Sequence, residues 1–413
     1  MNAILARPAR GGRRWLILSL LGCILSIDAV RAEPPTLSEA VDAALEQNRS
    51  DALVEVRMRE AESLDRRSSS WLADDPSFEM QYIGDQVDRD IGFREWEAAL
   101  NLPLPLPGQR AARVAVADAA SLEAGRFRAF RRWEAAGLVR AAAWAVRLAQ
   151  VDEAESRRAL ERSAGLEEQI RRRYEAGELP NSDLLLARQQ TAQLRAGLRD
   201  AEQTLETARA DYRRTVGLAE LPVGLEEQPV AEGTVAPDHP QLAYLAAQLG
   251  RYRADGERVR SERRENWTLS VVGRRDRSDF GADYGDSLGL ALSVPFGLGS
   301  HSRYKAAEAD RQTVAADVAL HQARRALELD LEQSRTRLDK LSQSIESAIE
   351  SNDLAQRFLA MQERAFELGE IDLLDLIRAR ERALAASSML ERRRAERMRE
   401  IARFNQAAGV IPR

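Results

Sequence analysis

The stretch from Arg110 to Ala176 constrains the fold most. It runs about 67 residues through an Ala-, Leu-, Glu- and Arg-rich pattern without a single Pro. As one helix it would be about 100 Å long. A globular domain has no use for such a helix, whereas a coiled-coil rod or a helical tube does. Gly177 follows in the usual C′ role, and Pro180-Asn181-Ser182-Asp183 open another helix. A second long run, from about Ser302 to Leu368, ends in the same way at Gly369. Its Leu327, Leu331, Leu338, Leu341, Ile345 and Ala348 recur at spacings of 4, 7, 3, 4 and 3, as coiled-coil seams do.

The two runs belong to a duplication. At an offset of 192, Tyr174-Glu-Ala-Gly177-Glu-Leu-Pro-Asn-Ser-Asp183-Leu-Leu-Leu-Ala-Arg188 aligns with Phe366-Glu-Leu-Gly369-Glu-Ile-Asp-Leu-Leu-Asp375-Leu-Ile-Arg-Ala-Arg380, with seven of fifteen positions identical. Leu102-Pro-Leu-Pro105-Leu-Pro-Gly108 aligns with Leu292-Ser-Val-Pro295-Phe-Gly-Leu-Gly299 at nearly the same period. Repeated anchors at one period argue for a repeat architecture. The fold class is mostly α with a small β part, built from a duplicated helix-strand-strand-long helix-helix unit.

The first repeat, 33–216, reads as helix 36–70, strands 77–83 and 94–102, long helix 110–176 and helix 182–216. Residues 217–237, with three Pro, form a linker or equatorial segment. The second repeat, 238–413, reads as helix 238–265, strands 267–273 and 286–294, long helix 302–368 and helix 373–408. The short helices 36–70 and 182–216 together match the long one, so stacked end to end they would lie antiparallel beside it. Asp85, Asp88, Asp90, Arg274, Arg275 and Asp276 read as solvated loop charges.

Each strand alternates an apolar with a polar or small face. Phe78, Met80 and Tyr82 share one face, as do Trp96, Ala98, Leu100 and Leu102, and Leu288, Leu290 and Leu292. That alternation suits a lipid-facing barrel wall, with aromatics at its ends. Four strands cannot close a barrel, and an open edge in lipid leaves backbone groups unpaired. A membrane reading therefore needs strands from several chains; the other reading is a small sheet capping a periplasmic coiled coil.

Composition excludes several classes. A net charge of −5 argues against a nucleic-acid partner. One Cys and three His leave no zinc site and no disulfide framework, and neither a cofactor nor a metal is expected. No nucleophile–base pairing or phosphate loop points to an enzyme. At the N-terminus, Arg7, Arg10, Arg13 and Arg14 precede the apolar stretch from Trp15 to Ile27, and Val30-Arg31-Ala32 offers a cleavage site. Residues 1–32 thus read as a signal peptide, with lipidation at Cys23 as the alternative. No later stretch offers 18 uncharged residues in a row for a membrane helix.

The order of elements, the duplicated Tyr/Phe-x-x-Gly-x-x-x-x-x-Asp-Leu-Leu/Ile-x-Ala-Arg segment, the Leu-Ser-Glu-Ala-Val opening helix and the Pro-Gly-Gln-Arg110 entry resemble the TolC-like outer-membrane efflux protein family over about 36–410. The resemblance implies a homotrimer in the outer membrane, in contact with its lipid and extending into the periplasm. Twelve strands, four per chain, would close one shared transmembrane β-barrel above an α-helical tube. It implies a periplasmic adaptor and an inner-membrane pump of the resistance-nodulation-division type as partners, with this chain as a passive exit duct of a tripartite efflux system. The alternatives are a periplasmic coiled-coil adaptor or scaffold and a type I secretion channel. The Pro-Leu-Pro-Gly-Gln-Arg110 and Val-Pro-Phe-Gly-Leu-Gly299 segments resemble the heavy-metal (cobalt–zinc–cadmium) branch; drugs are the next substrate class.

The resemblance also directs attention to the helix-hairpin tips. Gly177, Glu178 and Leu179, with Gly369, Glu370 and Ile371, would contact the adaptor. Asp375, Arg378, Asp372 and Asp183 are the gate candidates: Asp375 and Asp183 read either as pore-lining carboxylates, Asp375 as a three-fold ring in a narrow pore, or, with Asn181, Ser182 and Asp372, as helix-capping groups. Arg378 stands where the family often carries a second carboxylate, which suggests an Arg378–Asp375 latch.

Overall fold

The computed structural model describes residues 34–87, 90–230, 234–236, 238–263, 265–296 and 300–412. The signal-peptide reading of 1–32, Cys23, Asp88 and Gly299 lie outside the described residues. The architecture below is that of Pro35–Arg413.

Helices α1 (Leu37–Gln47) and α2 (Ser50–Ser69) lead into strands β1 (Ser77–Gly84) and β2 (Arg94–Leu104). Helix α3 (Gln109–Glu175) then runs 67 residues, and α4 (Asn181–Val216) returns along it. Helix α5 (Pro240–Ser261), strands β3 (Trp267–Arg277) and β4 (Gly285–Ser293), α6 (Ser300–Glu367) and α7 (Leu373–Ala407) repeat that order. Among the described residues no helix is long and apolar enough to cross a membrane.

Three expectations need correction. The opening helix 36–70 is two helices. Asn48 ends α1 because its side-chain amide donates to the Ala44 carbonyl at 2.7 Å and to the Thr215 carbonyl at 3.1 Å. Arg49 then turns through a left-handed conformation, φ 51°. Second, β2 and β3 run further than expected, to Leu104 and Arg277. Arg274, Arg275 and Asp276 are therefore ladder residues, not loop charges. Arg274 is held across the strands by Glu97 at 2.9 Å and Glu95 at 3.5 Å. Third, α5 starts at Pro240, because His239 caps it by accepting the Gln241 N–H on Nδ1.

The two shorter helices cover the two halves of α3. Ala61 of α2 packs on Ala120 and Ala124. Toward the other end, Ser163 and Thr191 of α4 share a buried hydroxyl hydrogen bond. Between them α1, α3 and α4 meet around Trp144, Tyr212, Val139 and Val216, all buried. Small residues dominate this contact (Ala40, Ala44, Ala136 and Ala143 are fully buried), so the helices approach closely. The linker packs onto the end of α7, where Val230 and Val235 meet Leu331 and Phe404.

The four strands form one antiparallel sheet in the order β1-β2-β3-β4. Its register places like with like. Phe78, Leu100, Val271 and Leu290 form one row; Met80, Ala98, Gly273 and Leu288 form the next. Leu102, Leu269 and Leu292 form a third. The opposite face carries Ser77-Asn101-Ser270-Ala291 and Gln81-Glu97-Arg274-Ser287. There Asn101 accepts from the Ser270 hydroxyl at 2.6 Å and donates to Ser77 at 3.3 Å.

Candidate functional site: the sheet face and the hairpin tips

The sheet has one face that water does not suit. Phe78, Met80, Leu288 and Leu290 are 62–81% exposed in the single chain. Tyr82 and Trp96 sit together at one end, ring centroids 4.5 Å apart, and Trp267 faces Leu104 at the other. Along β3 from Trp267 to Arg275, eight residue-to-residue steps cover about 27 Å, or about 20 Å of height at a strand tilt near 40°. An apolar band of that height bounded by aromatics matches the lipid-facing band of an outer-membrane barrel. β1 and β4 are the sheet's two edges, each with one unpaired side.

At the far end of the long helices, two helix hairpins close in the same way. Gly177 and Gly369 adopt φ 78° and 76°. Glu178 N–H reaches back to the Arg173 carbonyl and Glu370 N–H to the Ala365 carbonyl, both at 2.9 Å. This 6→1 bond with its left-handed Gly is the Schellman cap, so the long helices end without orphaned carbonyls. Leu166, Ile170, Leu184, Ala187, Leu373, Leu376 and Ile377 bury against one another beneath the turns. Leu179 and Ile371 pack onto that cluster, half-buried, while Gly177, Glu178, Gly369 and Glu370 face solvent. The structure thus brings the expected tip residues together and leaves four of those six available to a partner.

The gate candidates separate by role. Asp372 is an N-cap, its carboxylate accepting the Asp375 N–H at 2.8 Å. Its counterpart in the first repeat is Pro180, whose backbone suits the position but offers no acceptor. Asp183 and Asp375 both occupy the third position of their helices, where a negative charge opposes the positive helix end. Neither carboxylate caps its helix by a hydrogen bond: Asp183 accepts from the Ser182 hydroxyl, and Asp375 meets Arg378 at 3.4 Å. Both members of the Asp375–Arg378 pair are more than half exposed and lie on the same helix. Such a pair contributes only a few tenths of a kcal/mol.

Arginines brace the tip. Glu168 is held down near pH 2 by the Arg171 and then the Arg172 guanidinium. Arg173 pairs with Glu178 at 3.1 Å and lies over the Phe366 ring, linking the two hairpins. Arg380 joins Glu363 at 2.8 Å and the Arg162 carbonyl, tying α7 to α6 and α3. The Arg171-Arg172-Arg173 run is therefore engaged in local pairs.

Two networks went unread in the sequence. Arg140, 3% exposed, binds Glu227 at 2.7 and 3.0 Å and the Val410 carbonyl, while Asn405 donates to the same Glu227. It locks the linker onto α3 and α7. Glu123, also buried, joins Arg251 at 2.9 Å and Arg57 at 3.6 Å between α2, α3 and α5. The sequence signal for the first was an Arg on the Ala-rich face of α3; nothing local named its partner. Among the described residues no group of His, Cys, Asp and Glu is arranged to hold a metal ion.

No family model matches the chain, and no curated protein does. Solved structures do. The chain is similar to the outer membrane channel CmeC of Campylobacter jejuni, at 14% identity and a TM-score of 0.71 over 90% of this chain and 85% of that one. It is similar to the outer membrane protein VceC of Vibrio cholerae, at 13% identity and 0.72 over 90% and 96%. It is similar to CusC, described for its transmembrane channel formation, at 14% and 0.71 over 91% and 92%.

Proposed function

From the premise that this chain has the TolC-like fold, we propose that it is the outer-membrane channel of a tripartite efflux system. The observation that carries the reading is the sheet: an apolar face in register over all four strands, with aromatics at both ends and two unpaired edges. In lipid those edges must be closed by neighbouring chains. Three chains of four strands make twelve, within the range of outer-membrane barrels. The polar rows of Asn101, Glu97 and Arg274 then line the lumen, and α3 and α6 continue the duct into the periplasm.

The tips are the periplasmic mouth in this reading. Asp375 from three chains forms a carboxylate ring that favours cations, with Arg378 beside each carboxylate moderating its charge and Asp372 holding the helix start. Asp183 takes the corresponding place on the first hairpin. Gly177, Glu178, Gly369 and Glu370 meet the adaptor, Leu179 and Ile371 support them from beneath, and an inner-membrane pump supplies the energy. We place heavy-metal cations first among substrates, on the Pro-Leu-Pro-Gly-Gln-Arg110 entry segment, and drugs second. The chain carries the cargo without coordinating it; selectivity resides in the pump.

Single-channel recording in planar bilayers tests the reading. The wild-type protein should conduct with a preference for cations, and Asp375→Asn should lower that preference while leaving trimer formation intact. A protein that never conducts, or an Asp375→Asn channel with unchanged selectivity, contradicts the channel or the ring respectively.

A further inference from the structure

A cavity of about 350 Å³ lies between α2, α3, α5 and α6, within a single chain and far from the hairpin tips. Its wall carries five arginines, Arg57, Arg67, Arg113, Arg251 and Arg258, against the carboxylates of Glu123, Asp255 and Glu262. Most of these charges are matched. Arg57 and Arg251 share Glu123, and both also reach Glu60 just outside the wall. Arg258 is held by Asp255 at 2.8 Å and Glu262 at 2.6 Å.

Arg113 differs. It is 7% exposed, and its Nη1 donates to the Leu72 and Ala73 carbonyls at 2.9 and 3.3 Å. Those acceptors are neutral, so the cation has no counter-charge from them. Its Nη2 is buried and has no hydrogen-bond partner. A buried guanidinium nitrogen left unpaired is costly unless a ligand or water completes it. Arg67, exposed at the same cavity, meets no carboxylate within ion-pair distance among the described residues. Two guanidinium groups without carboxylates in one concave wall fit an oxyanion, for which Arg supplies a planar fork of donors.

We propose that this cavity is a binding site for a phosphate group, with Arg113 as its buried anchor and Arg67 as its outer clamp. The neighbouring arginines are already matched by carboxylates, so the wall's excess positive charge comes from Arg113 and Arg67 themselves. The site's position suggests two sources of the phosphate. Ala73 N–H donates to the Pro103 carbonyl, at the helix-side end of the sheet, so Arg113 sits immediately below the strands. A phospholipid headgroup of the adjoining leaflet, or free phosphate from solution, would present the same group there.

The full-length protein is purified in mild detergent and titrated with inorganic phosphate by calorimetry at constant ionic strength. Native mass spectrometry on the same preparation reports retained phosphatidylglycerol. Saturable phosphate binding identifies a free anion; a retained phospholipid displaced by excess phosphate identifies a headgroup. In either case Arg67→Gln, an exposed substitution that leaves packing untouched, should weaken binding about tenfold, the loss of one charge-assisted hydrogen bond. Arg113→Gln should abolish it. Absence of both phosphate binding and retained phospholipid, or binding unchanged in Arg67→Gln, overturns the proposal. The cavity belongs to one chain, so a failure here leaves the channel reading standing.

Discussion

Arg140 shows how much one side chain can hold. Its guanidinium meets Glu227, Gln406 and the Val410 carbonyl while almost wholly buried. Replacing it with Met leaves the Glu227 carboxylate with only the Asn405 amide, a loss of about 3 kcal/mol, the lower end for breaking a buried pair. Chemical denaturation of Arg140→Met should show that loss; an unchanged midpoint would mean that the linker is fixed by Val230 and Val235 alone. His239 supplies a pH dependence. Burial pushes its pKa down to about 4 from the ordinary 6.5, against a small upward pull from Asp238. The unfolded chain therefore binds the proton first, and stability is full above about pH 6.5 and falls as pH drops toward 4. His239→Asn, which keeps a capping acceptor, should flatten that slope in thermal melts taken from pH 7 to 4. Local signals of this kind are uneven in the sequence. Asp372 was legible as a cap because capping is decided within one turn. The partner of Arg140 was not, because Glu227 lies 87 residues away.

At the scale of elements, spacing was enough for the long helices and their Gly stops. Both hairpins close with the same left-handed Gly and the same backward hydrogen bond. The break at Asn48 was hidden because the apolar periodicity continues through it; a contact to Thr215 decides it, and that is tertiary. The strands' extra length was hidden for the opposite reason. Arg274 and Asp276 read as loop because they are charged, yet Glu97 and Glu95 neutralise the Arg across the ladder. The apolar rows carry a sharp test. Leu290→Arg places a cation at mid-height on the face assigned to lipid and should cost about 2–4 kcal/mol in assembly. Ala291→Arg, its neighbour on the polar face, should assemble nearly as the wild type does. Yield of heat-resistant oligomer in outer-membrane fractions measures both. Equal tolerance of the two would remove the lipid face from the account.

On the proposed reading the whole molecule is one part of a larger one. A single chain leaves the apolar sheet face in water and both sheet edges unpaired, and its helices reach about 100 Å away from the sheet. Sequence reading could reach this far because the need for partners follows from strand count and from one-sided alternation, both countable in one chain. It could not reach the interfaces themselves, which depend on surfaces of neighbouring copies. The native mass of the protein, extracted from purified outer membranes with mild detergent, tests the central claim most directly. The account predicts a stable trimer that detergent is needed to release. A monomer or dimer freed without detergent would contradict it and leave a periplasmic coiled coil in its place.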